Sequence, residues 1–369
     1  MAKIELVNLC KKFDARAPGL FAFPFSARDV DQPRPHKSFA MHNLNLTIPH
    51  AQTVVILGPS GCGKTTLLKM IAGLIAPDAG EILFNGKNMA EVPPGERRLG
   101  FLFQNYALYP NLTVKTNILS YFFFRKKTPA RDADAQAKYK RTSELLGVEM
   151  KYLEDRFPPT LSGGERQRVA LGRCITRDPA LFLLDEPFAN LDPKLREKYR
   201  VNLKELLVQF NITTVYVTHD QHEAFVLADR IAIMDAGKLE QIGTYEEIYA
   251  RPKNVFIAEF LNLDFETPPI NLIAGERVAP GLRATRVGIR PEDVIVSAIE
   301  KENAIRATII KRQPMPLKAI AILTLRVGDD QIIAPAPIGE AFAINDSVWL
   351  TFKKYHVFDE RSGTRTQTQ

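Results

Sequence analysis

The stretch Gly58-Pro-Ser-Gly-Cys-Gly-Lys-Thr65 decides the fold class of this chain. It follows the apolar run Thr53–Leu57, which is typical of a buried strand, and it precedes a helical pattern over Thr65–Leu74. A strand, a glycine-rich turn and a helix, in this order, are the context in which the pattern G-x-x-x-x-G-K-[ST] binds phosphate. Backbone N–H groups of the turn point at the phosphates, and the helix N-terminus adds the positive end of its dipole. The stretch therefore predicts an α/β fold that binds a nucleotide.

The residues of this loop have separate predicted roles. Lys64 neutralises the β- and γ-phosphates, and the hydroxyl of Thr65 is a ligand for Mg²⁺. A small filler is the favoured interpretation of Cys62, with a redox switch as the alternative. The predicted nucleotide contacts in the loop are Gly58, Ser60, Gly61, Cys62, Gly63, Lys64, Thr65 and Thr66.

A second apolar run, Leu181–Leu184, ends in the carboxylates Asp185 and Glu186. Such a continuous run is typical of a strand that is buried on both faces. Asp185 can then meet the Mg²⁺ held by Thr65, either as a direct ligand or from the second coordination sphere. Glu186 is predicted to polarise the attacking water as a general base. The alternative, a carboxylate pair that only reaches the surface, is disfavoured because the same chain carries a phosphate loop.

A third motif, Leu161-Ser-Gly-Gly-Glu-Arg-Gln-Arg168, precedes the helical run Val169–Thr176. Ser162, Gly163 and Gly164 predict a second anion site, because free N–H groups and a hydroxyl converge at a helix start. One nucleotide rarely needs two phosphate sites in one chain, so we expect this site to complete the pocket of another copy. A plain helix cap is the alternative.

These three motifs resemble those of the ATP-binding subunits of ABC transporters, and they occur in the order that this family uses. The resemblance covers nearly all of the first 260 residues. It implies a P-loop NTPase core with a helical signature subdomain at about 105–165 and an antiparallel β subdomain. It also implies that ATP and Mg²⁺ are the cofactors, and that Lys64, Glu186 and His219 are the catalytic residues.

The resemblance assigns further site residues. Gln104 resembles the glutamine that senses Mg²⁺ and contacts the membrane subunits, so Thr65, Gln104 and Asp185 form the expected metal site. His219 resembles the switch histidine that contacts the γ-phosphate, although a histidine that merely ends a buried strand is the alternative. Two more nucleotide contacts are implied, namely Asp192 in the D-loop and Phe13, which would stack on adenine unless it is a core residue.

From Leu282 onward, short β-type runs dominate the sequence. Within them, Gly288-Ile-Arg-Pro-Glu-Asp293 is similar to a motif in the oligonucleotide-fold-like domain of maltose-type importer ATPases. We therefore expect an ATP-binding domain over 1–240, a linker over 241–262, and a small all-β domain over 263–369.

Composition and charge limit the function classes. The chain has 369 residues, 45% of them hydrophobic and 25% charged, which excludes a mainly disordered or fibrous protein. No apolar run approaches the roughly 20 residues of a membrane helix. The net charge of +7 is compatible with a nucleic-acid partner, but phosphate handling explains it as well. A soluble ABC-type ATPase acting on ribosomes or DNA is disfavoured, because the chain has a single phosphate loop, and no nucleic-acid partner is expected.

The sequence thus predicts the ATP-hydrolysing subunit of an ABC importer for a carbohydrate or polyol, peripheral on the cytoplasmic face of the cell membrane. Polyamine, iron or an inorganic anion are the alternative solutes. The expected partners are a second copy or a paralogous ATPase subunit, transmembrane permease subunits and an extracytoplasmic solute-binding protein.

Two segments are candidates for contact with the permease. The insertion over 14–37, with Phe21, Phe23 and Phe25, is either a surface loop or a docking element. The segment after Gln104 is expected to pack on a membrane-subunit helix, with internal packing as the alternative. Its apolar residues are Tyr106, Leu108, Tyr109 and Pro110.

Overall fold

The computed structural model describes residues 2–13, 39–126, 128–146, 149–189, 191, 193–262, 267–279 and 281–368. The chain divides into two compact units, Met1–Thr244 and Tyr245–Gln369. The insertion with its three phenylalanines and the predicted D-loop residue Asp192 lie outside the described residues.

The first unit alternates strands and helices. Its strands are β1 Ile4–Phe13, β2 Phe39–Ile48, β3 Thr53–Leu57, β4 Ala79–Phe84, β5 Lys87–Asn88, β6 Leu99–Leu102, β7 Leu181–Asp185, β8 Thr213–Thr218, β9 Arg230–Asp235 and β10 Lys238–Gly243. Its helices are α1 Lys64–Ala72, α2 Val114–Ile118, α3 Ser120–Phe123, α4 Pro129–Leu146, α5 Glu149–Leu153, α6 Gly163–Ile175, α7 Pro193–Phe210 and α8 Gln221–Leu227.

A six-stranded sheet in the order β10-β9-β3-β8-β7-β6 forms the centre of the first unit. Its strands pair in parallel from β9 to β6, and only β10 is antiparallel. Every residue of β3, β7 and β8 is buried, as the continuous apolar runs predict. Because the carboxyl ends of parallel strands meet at one edge, the loops after β3, β7 and β8 are brought together there.

An antiparallel sheet in the order β2-β1-β4-β5 packs on the same core. Ile4 and Met41 of this sheet join Val54 of β3 and Leu67 of α1 in one hydrophobic cluster. The expected α/β fold with an antiparallel β subdomain is therefore confirmed.

The second unit is mainly β. It contains α9 Tyr245–Ala250, α10 Val255–Phe260, β11 Asn271–Ala274, β12 Thr285–Ile289, β13 Val294–Ser297, β14 Ile305–Met315, β15 Ile320–Val327, β16 Asp330–Pro337, β17 Ser347–Phe352, β18 His356–Asp359 and β19 Arg365–Thr368. Two antiparallel sheets, β11-β12-β18-β19 and β13-β17-β14-β15-β16, share one hydrophobic core. The domain boundaries drawn from the sequence and the likeness to the oligonucleotide fold stay predictions.

Across the part of the chain that the structure describes, no helix has both the length and the apolar character needed to cross a bilayer.

Candidate nucleotide-binding site

The glycine-rich loop between β3 and α1 has the backbone that its sequence predicts. Gly61 and Gly63 have φ angles of +81° and +105°, in the left-handed region that favours glycine. Gly58 is needed for a different reason, because a Cβ there would lie 2.2 Å from the carbonyl oxygen of Met234. The loop is thus fixed by its own conformation and by contact with β9.

Lys64 is almost fully buried at the base of this loop, with 6% of its surface exposed. Its ammonium donates to the carbonyl oxygens of Gly58 at 2.8 Å and Pro59 at 2.9 Å. The nearby thiol of Cys62 is buried, and burial raises its pKa. A raised pKa keeps this thiol protonated and unreactive, which favours the filler interpretation over the redox switch.

A cavity of about 450 Å³ opens over the loop. It is lined by Ser60, Gly61, Gly63, Lys64, Thr65, Thr66, Gln104 and Glu186. All eight were predicted as site residues from the sequence, and they come from three separate segments of the chain. The structure therefore brings the phosphate loop together with the Gln104 and Glu186 segments in one site.

Thr65 and Asp185 form one corner of the site. The Thr65 hydroxyl donates to Asp185 Oδ1 at 2.9 Å. Burial raises the pKa of Asp185, because a carboxylate loses hydration at this strand end. A hydroxyl beside a partly desolvated carboxylate is an oxygen donor pair that suits Mg²⁺, which usually takes few protein ligands in addition to phosphate and water.

Glu186 lies at the centre of a hydrogen-bonded group. Its Oε2 accepts from Gln104 Nε2 at 3.2 Å, and its Oε1 lies 2.9 Å from His219 Nδ1. Its backbone is left-handed, with φ of +44°, and its N–H donates to the carbonyl oxygen of Val217 at 3.0 Å. Such a conformation costs about 1–3 kcal/mol in a residue other than glycine, so the surrounding contacts must hold it.

The signature motif begins α6 with a complete capping box. The Ser162 hydroxyl accepts from the Glu165 N–H at 3.3 Å, and the Ser162 N–H donates to Glu165 Oε2 at 2.7 Å. Gly164 has no room for a side chain, because its Cβ would lie 2.2 Å from the Tyr199 hydroxyl. Among the described residues, Ser162, Gly163 and Gly164 do not line the cavity over the phosphate loop of their own chain.

Three further predictions have different outcomes. Phe13 is the last residue of β1 and pairs with Phe39, but its side chain lies outside the described part of the structure, as does all of Asp192. Tyr106 is only 4% exposed, and its hydroxyl donates to the Pro187 carbonyl at 3.2 Å. Its predicted role in packing on a membrane subunit was therefore wrong, and internal packing is the correct interpretation.

The sequence interpretation missed two buried residues beside His219. Thr218 and Glu223 are hydrogen bonded to each other at 2.7 Å. A threonine at a strand end followed by a glutamate in the first turn of the next helix was the available signal.

Comparison with known proteins identifies the class. Residues 41–189 match the family model described as ABC transporter. The chain is 44% identical to the sn-glycerol-3-phosphate import ATP-binding protein UgpC 1 of Rhizobium etli, over 89% of this chain and 94% of that protein. It is 37% identical to the trehalose/maltose import ATP-binding protein MalK of Thermococcus litoralis, over 88% of this chain and 94% of that protein.

Two further similarities extend this result. The sulfate/thiosulfate import ATP-binding protein CysA of Acinetobacter baylyi is 38% identical, over 86% of this chain and 94% of that protein. The dimeric structure of MJ0796, a bacterial ABC transporter cassette, superposes with a TM-score of 0.53 at 27% identity, over 65% of this chain and 98% of that one. The chain therefore belongs to the ABC transporter family. Within it, the chain is an ATP-binding subunit of an import system, an ATPase coupled to transport.

Proposed function

We propose that this chain powers the uptake of a carbohydrate or a polyol, with Glu186 as the general base for ATP hydrolysis. The observation that carries the catalytic proposal is the position of Glu186, whose carboxylate is held by Gln104 and His219 at the edge of the phosphate-loop cavity. The solute class is supported by the names of the similar glycerol-phosphate and trehalose/maltose import proteins. The similar sulfate/thiosulfate protein makes an inorganic anion the second candidate.

The site residues divide the chemistry among them. Lys64 and the loop N–H groups stabilise the negative charge of the phosphates. Thr65, Asp185 and Gln104 are the residues that would hold Mg²⁺, which when bound neutralises charge on the β- and γ-phosphates. Glu186 accepts the proton of the attacking water, and His219 orients this carboxylate through their shared hydrogen bond.

Two copies of the chain would form the complete site. Ser162, Gly163 and Gly164 are absent from the lining of their own cavity among the described residues, which suits a role in the pocket of another copy. The similarity to a cassette that was solved as a dimer supports the same proposal. A heterodimer with a paralogous subunit would use the same contacts.

A groove of about 680 Å³ in the first unit is a suitable docking site for a permease helix. It is lined by aromatic residues of two segments, among them Phe101, Phe103, Tyr121 and Phe124. Tyr109, which is 43% exposed, also lines it and lies close in sequence to Gln104. Binding there would place the chain on the cytoplasmic face of the membrane and connect the permease to the site. A solute-binding protein outside the membrane completes the proposed importer, and no nucleic acid takes part.

Glu186→Gln tests the catalytic proposal. The variant keeps the size of the side chain but removes the proton acceptor, so we expect phosphate release to fall at least ~100-fold while ATP binding persists. Light scattering should then show an ATP-dependent dimer that no longer dissociates. Glu144→Gln, on the exposed side of α4, is the matched control and should hydrolyse ATP normally. Undiminished steady-state hydrolysis in Glu186→Gln would contradict the assignment.

The solute class has its own test. In the assembled importer, sn-glycerol 3-phosphate or maltose should stimulate ATP hydrolysis and sulfate should not. Stimulation by sulfate alone would replace the carbohydrate proposal with the inorganic anion.

A further inference from the structure

Thr218, the last residue of β8, makes two hydrogen bonds through one hydroxyl. The hydroxyl donates to Glu223 Oε2 at 2.7 Å and accepts from the Asp220 N–H at 2.9 Å. His219 lies between Thr218 and Asp220, so these bonds fix the chain on both sides of the histidine. The side chain of His219 is itself 57% exposed and lies 2.9 Å from Glu186 Oε1 through its Nδ1.

Glu223 is the buried residue that accepts the hydrogen bond of the Thr218 hydroxyl. It is 3% exposed, and its Oε2 also accepts from the Tyr216 hydroxyl at 2.7 Å. Its backbone N–H donates to Asp220 Oδ1 at 3.3 Å, in the cap of α8. Burial raises the pKa of Glu223, because the charged carboxylate loses hydration there. The hydrogen bonds from the Thr218 and Tyr216 hydroxyls act in the opposite direction and lower it.

The same strand end also holds Glu186. The carbonyl oxygen of Val217, between Tyr216 and Thr218, accepts the Glu186 N–H at 3.0 Å and so supports its left-handed backbone. The hydrogen bond between His219 Nδ1 and Glu186 Oε1, at 2.9 Å, therefore joins two residues that depend on the last residues of β8.

Helix α7 adds a further restraint to this turn. Asp220 Oδ2 lies 3.5 Å from Arg200 Nη2 and 3.7 Å from Arg196 Nη1. Arg196 also donates to the carbonyl oxygen of Leu191 at 3.2 Å. The cap of α8 is thus held through both carboxylate oxygens of Asp220, Oδ1 by the Glu223 N–H and Oδ2 by the arginines of α7.

We propose that Thr218 is a positioning residue, which is hydrogen bonded to Glu223 and holds His219 against Glu186 by fixing the backbone around the histidine. The proposal rests on the catalytic roles proposed above for His219 and Glu186. Thr218 is 2% exposed and Glu223 is 3% exposed, so both are covered by protein and act through the backbone around His219 and not by contact with the nucleotide.

Thr218→Val and Tyr216→Phe form a matched pair of variants in the full-length chain. Each removes one hydroxyl that donates to the same Glu223 oxygen at the same distance of 2.7 Å, with little change in side-chain volume. Only Thr218→Val also releases the Asp220 N–H beside His219. We expect kcat for ATP hydrolysis to fall at least ~10-fold in Thr218→Val with KM within ~3-fold of wild type, and to stay within ~3-fold in Tyr216→Phe.

The double variant Thr218→Val/His219→Ala separates positioning from a general loss of structure. If Thr218 acts through His219, adding Thr218→Val to His219→Ala should lower kcat no further. Thr218→Ser keeps the hydroxyl and should recover most of the activity. If Thr218→Val does not fold, Thr218→Ala replaces it in the same comparisons.

The outcomes are distinct. Equal losses in Thr218→Val and Tyr216→Phe, or a full additional loss in the double variant, would overturn the positioning role. Normal turnover in Thr218→Val beside an impaired His219→Ala would overturn it as well, while leaving the proposed function intact. Normal turnover in His219→Ala would instead overturn the proposed role of His219, and this inference with it.

Discussion

Each unit of the chain contains a buried cation, Lys64 in the first and Arg290 in the second, and the two have different surroundings. Lys64, at the start of α1, donates to two carbonyls of its own loop and lines the 450 Å³ cavity. Arg290, directly after β12, is 3% exposed and donates to the carbonyls of Ala258, Pro269 and Tyr249, which lie 21 to 41 residues away. Its guanidinium also lies 4.0 Å over the Tyr249 ring.

This difference in surroundings distinguishes a buried cation that can bind a ligand from one that stabilises the fold. A compact ammonium held by one loop beside a cavity remains able to meet an anion. A guanidinium has several donors in a fixed plane, and here they link three segments of the second unit to one point. The Gly288–Asp293 motif therefore contributes a structural cross-link, whereas the phosphate loop contributes chemistry.

Lys64→Ala should show the largest effect. Without the ammonium, the charge on the transferred phosphate is no longer neutralised, so we expect ATP hydrolysis to fall ~1,000-fold. The melting temperature should change less than turnover does, because both carbonyls that Lys64 contacts belong to its own loop and the space left by its side chain adjoins the cavity that it lines. Lys87→Ala, on the exposed strand β5, is the control and should hydrolyse ATP at the wild-type rate. If Lys64→Ala lowered the melting temperature while its folded fraction still hydrolysed ATP, Lys64 would have a structural role and the contrast with Arg290 would be wrong.

Arg290→Met should affect stability and not binding. The carbonyls of Ala258 and Pro269 would lose a buried donor, so we expect the second unit to lose about 2–5 kcal/mol of unfolding free energy. Trp349, the single tryptophan of the chain, lies in β17 and reports this unit by fluorescence during urea unfolding. Arg306→Met, at an exposed position of β14, is the control and should leave the urea midpoint almost unchanged. Equal urea midpoints for Arg290→Met and wild type would contradict the structural role of Arg290.

The smallest expected effect is a pH-dependent loss of stability that is caused by His356. Its pKa is lowered to about 4 by burial, and then by the charges of Arg290, Arg365 and Lys354. The His356 imidazole takes up a proton near pH 6.5 in the unfolded chain but only near pH 4 in the folded chain. Stability is therefore lost as the pH falls from about 6.5 to 4, by an amount on the order of 2–3 kcal/mol.

Urea midpoints of Trp349 fluorescence across this pH range measure that loss. In His356→Asn the slope between pH 6.5 and 4 should flatten, whatever the stability of the variant at neutral pH. In Arg290→Met the pKa of His356 should rise, and the acid loss should shrink. An unchanged slope in His356→Asn would show that other groups cause the acid sensitivity.

Much of the fold and the site follows from short stretches of sequence. The apolar runs predict the buried strands β3, β7 and β8, and the glycines of the phosphate loop predict its left-handed residues. The serine and glutamate spaced three apart in the signature motif specify the capping box of α6. These features depend on residues within about four positions of each other, where propensity and capping act directly.

Other features could not be predicted, because their partners are distant in sequence. Arg97 is a charged residue in a polar stretch, yet it is buried and donates to the carbonyls of Met70, Ile71 and Met89. Tyr106 has the pattern of an exposed docking residue, but its hydroxyl reaches Pro187 on a different segment. A sequence shows which side chains can be buried, but it does not show which carbonyl group or aromatic ring they will contact in the fold.

The sequence by itself determined the loop, the buried strands, the helix cap and the set of chemical groups, because local backbone energies decide these. Only the tertiary structure decided that Glu186 adopts a left-handed backbone pinned to Val217, that Gly58 must pass beside Met234, and that His219 meets Glu186. The physical reason is that packing of parallel strands brings together groups separated by tens of residues. Their hydrogen bonds are satisfied only in that arrangement.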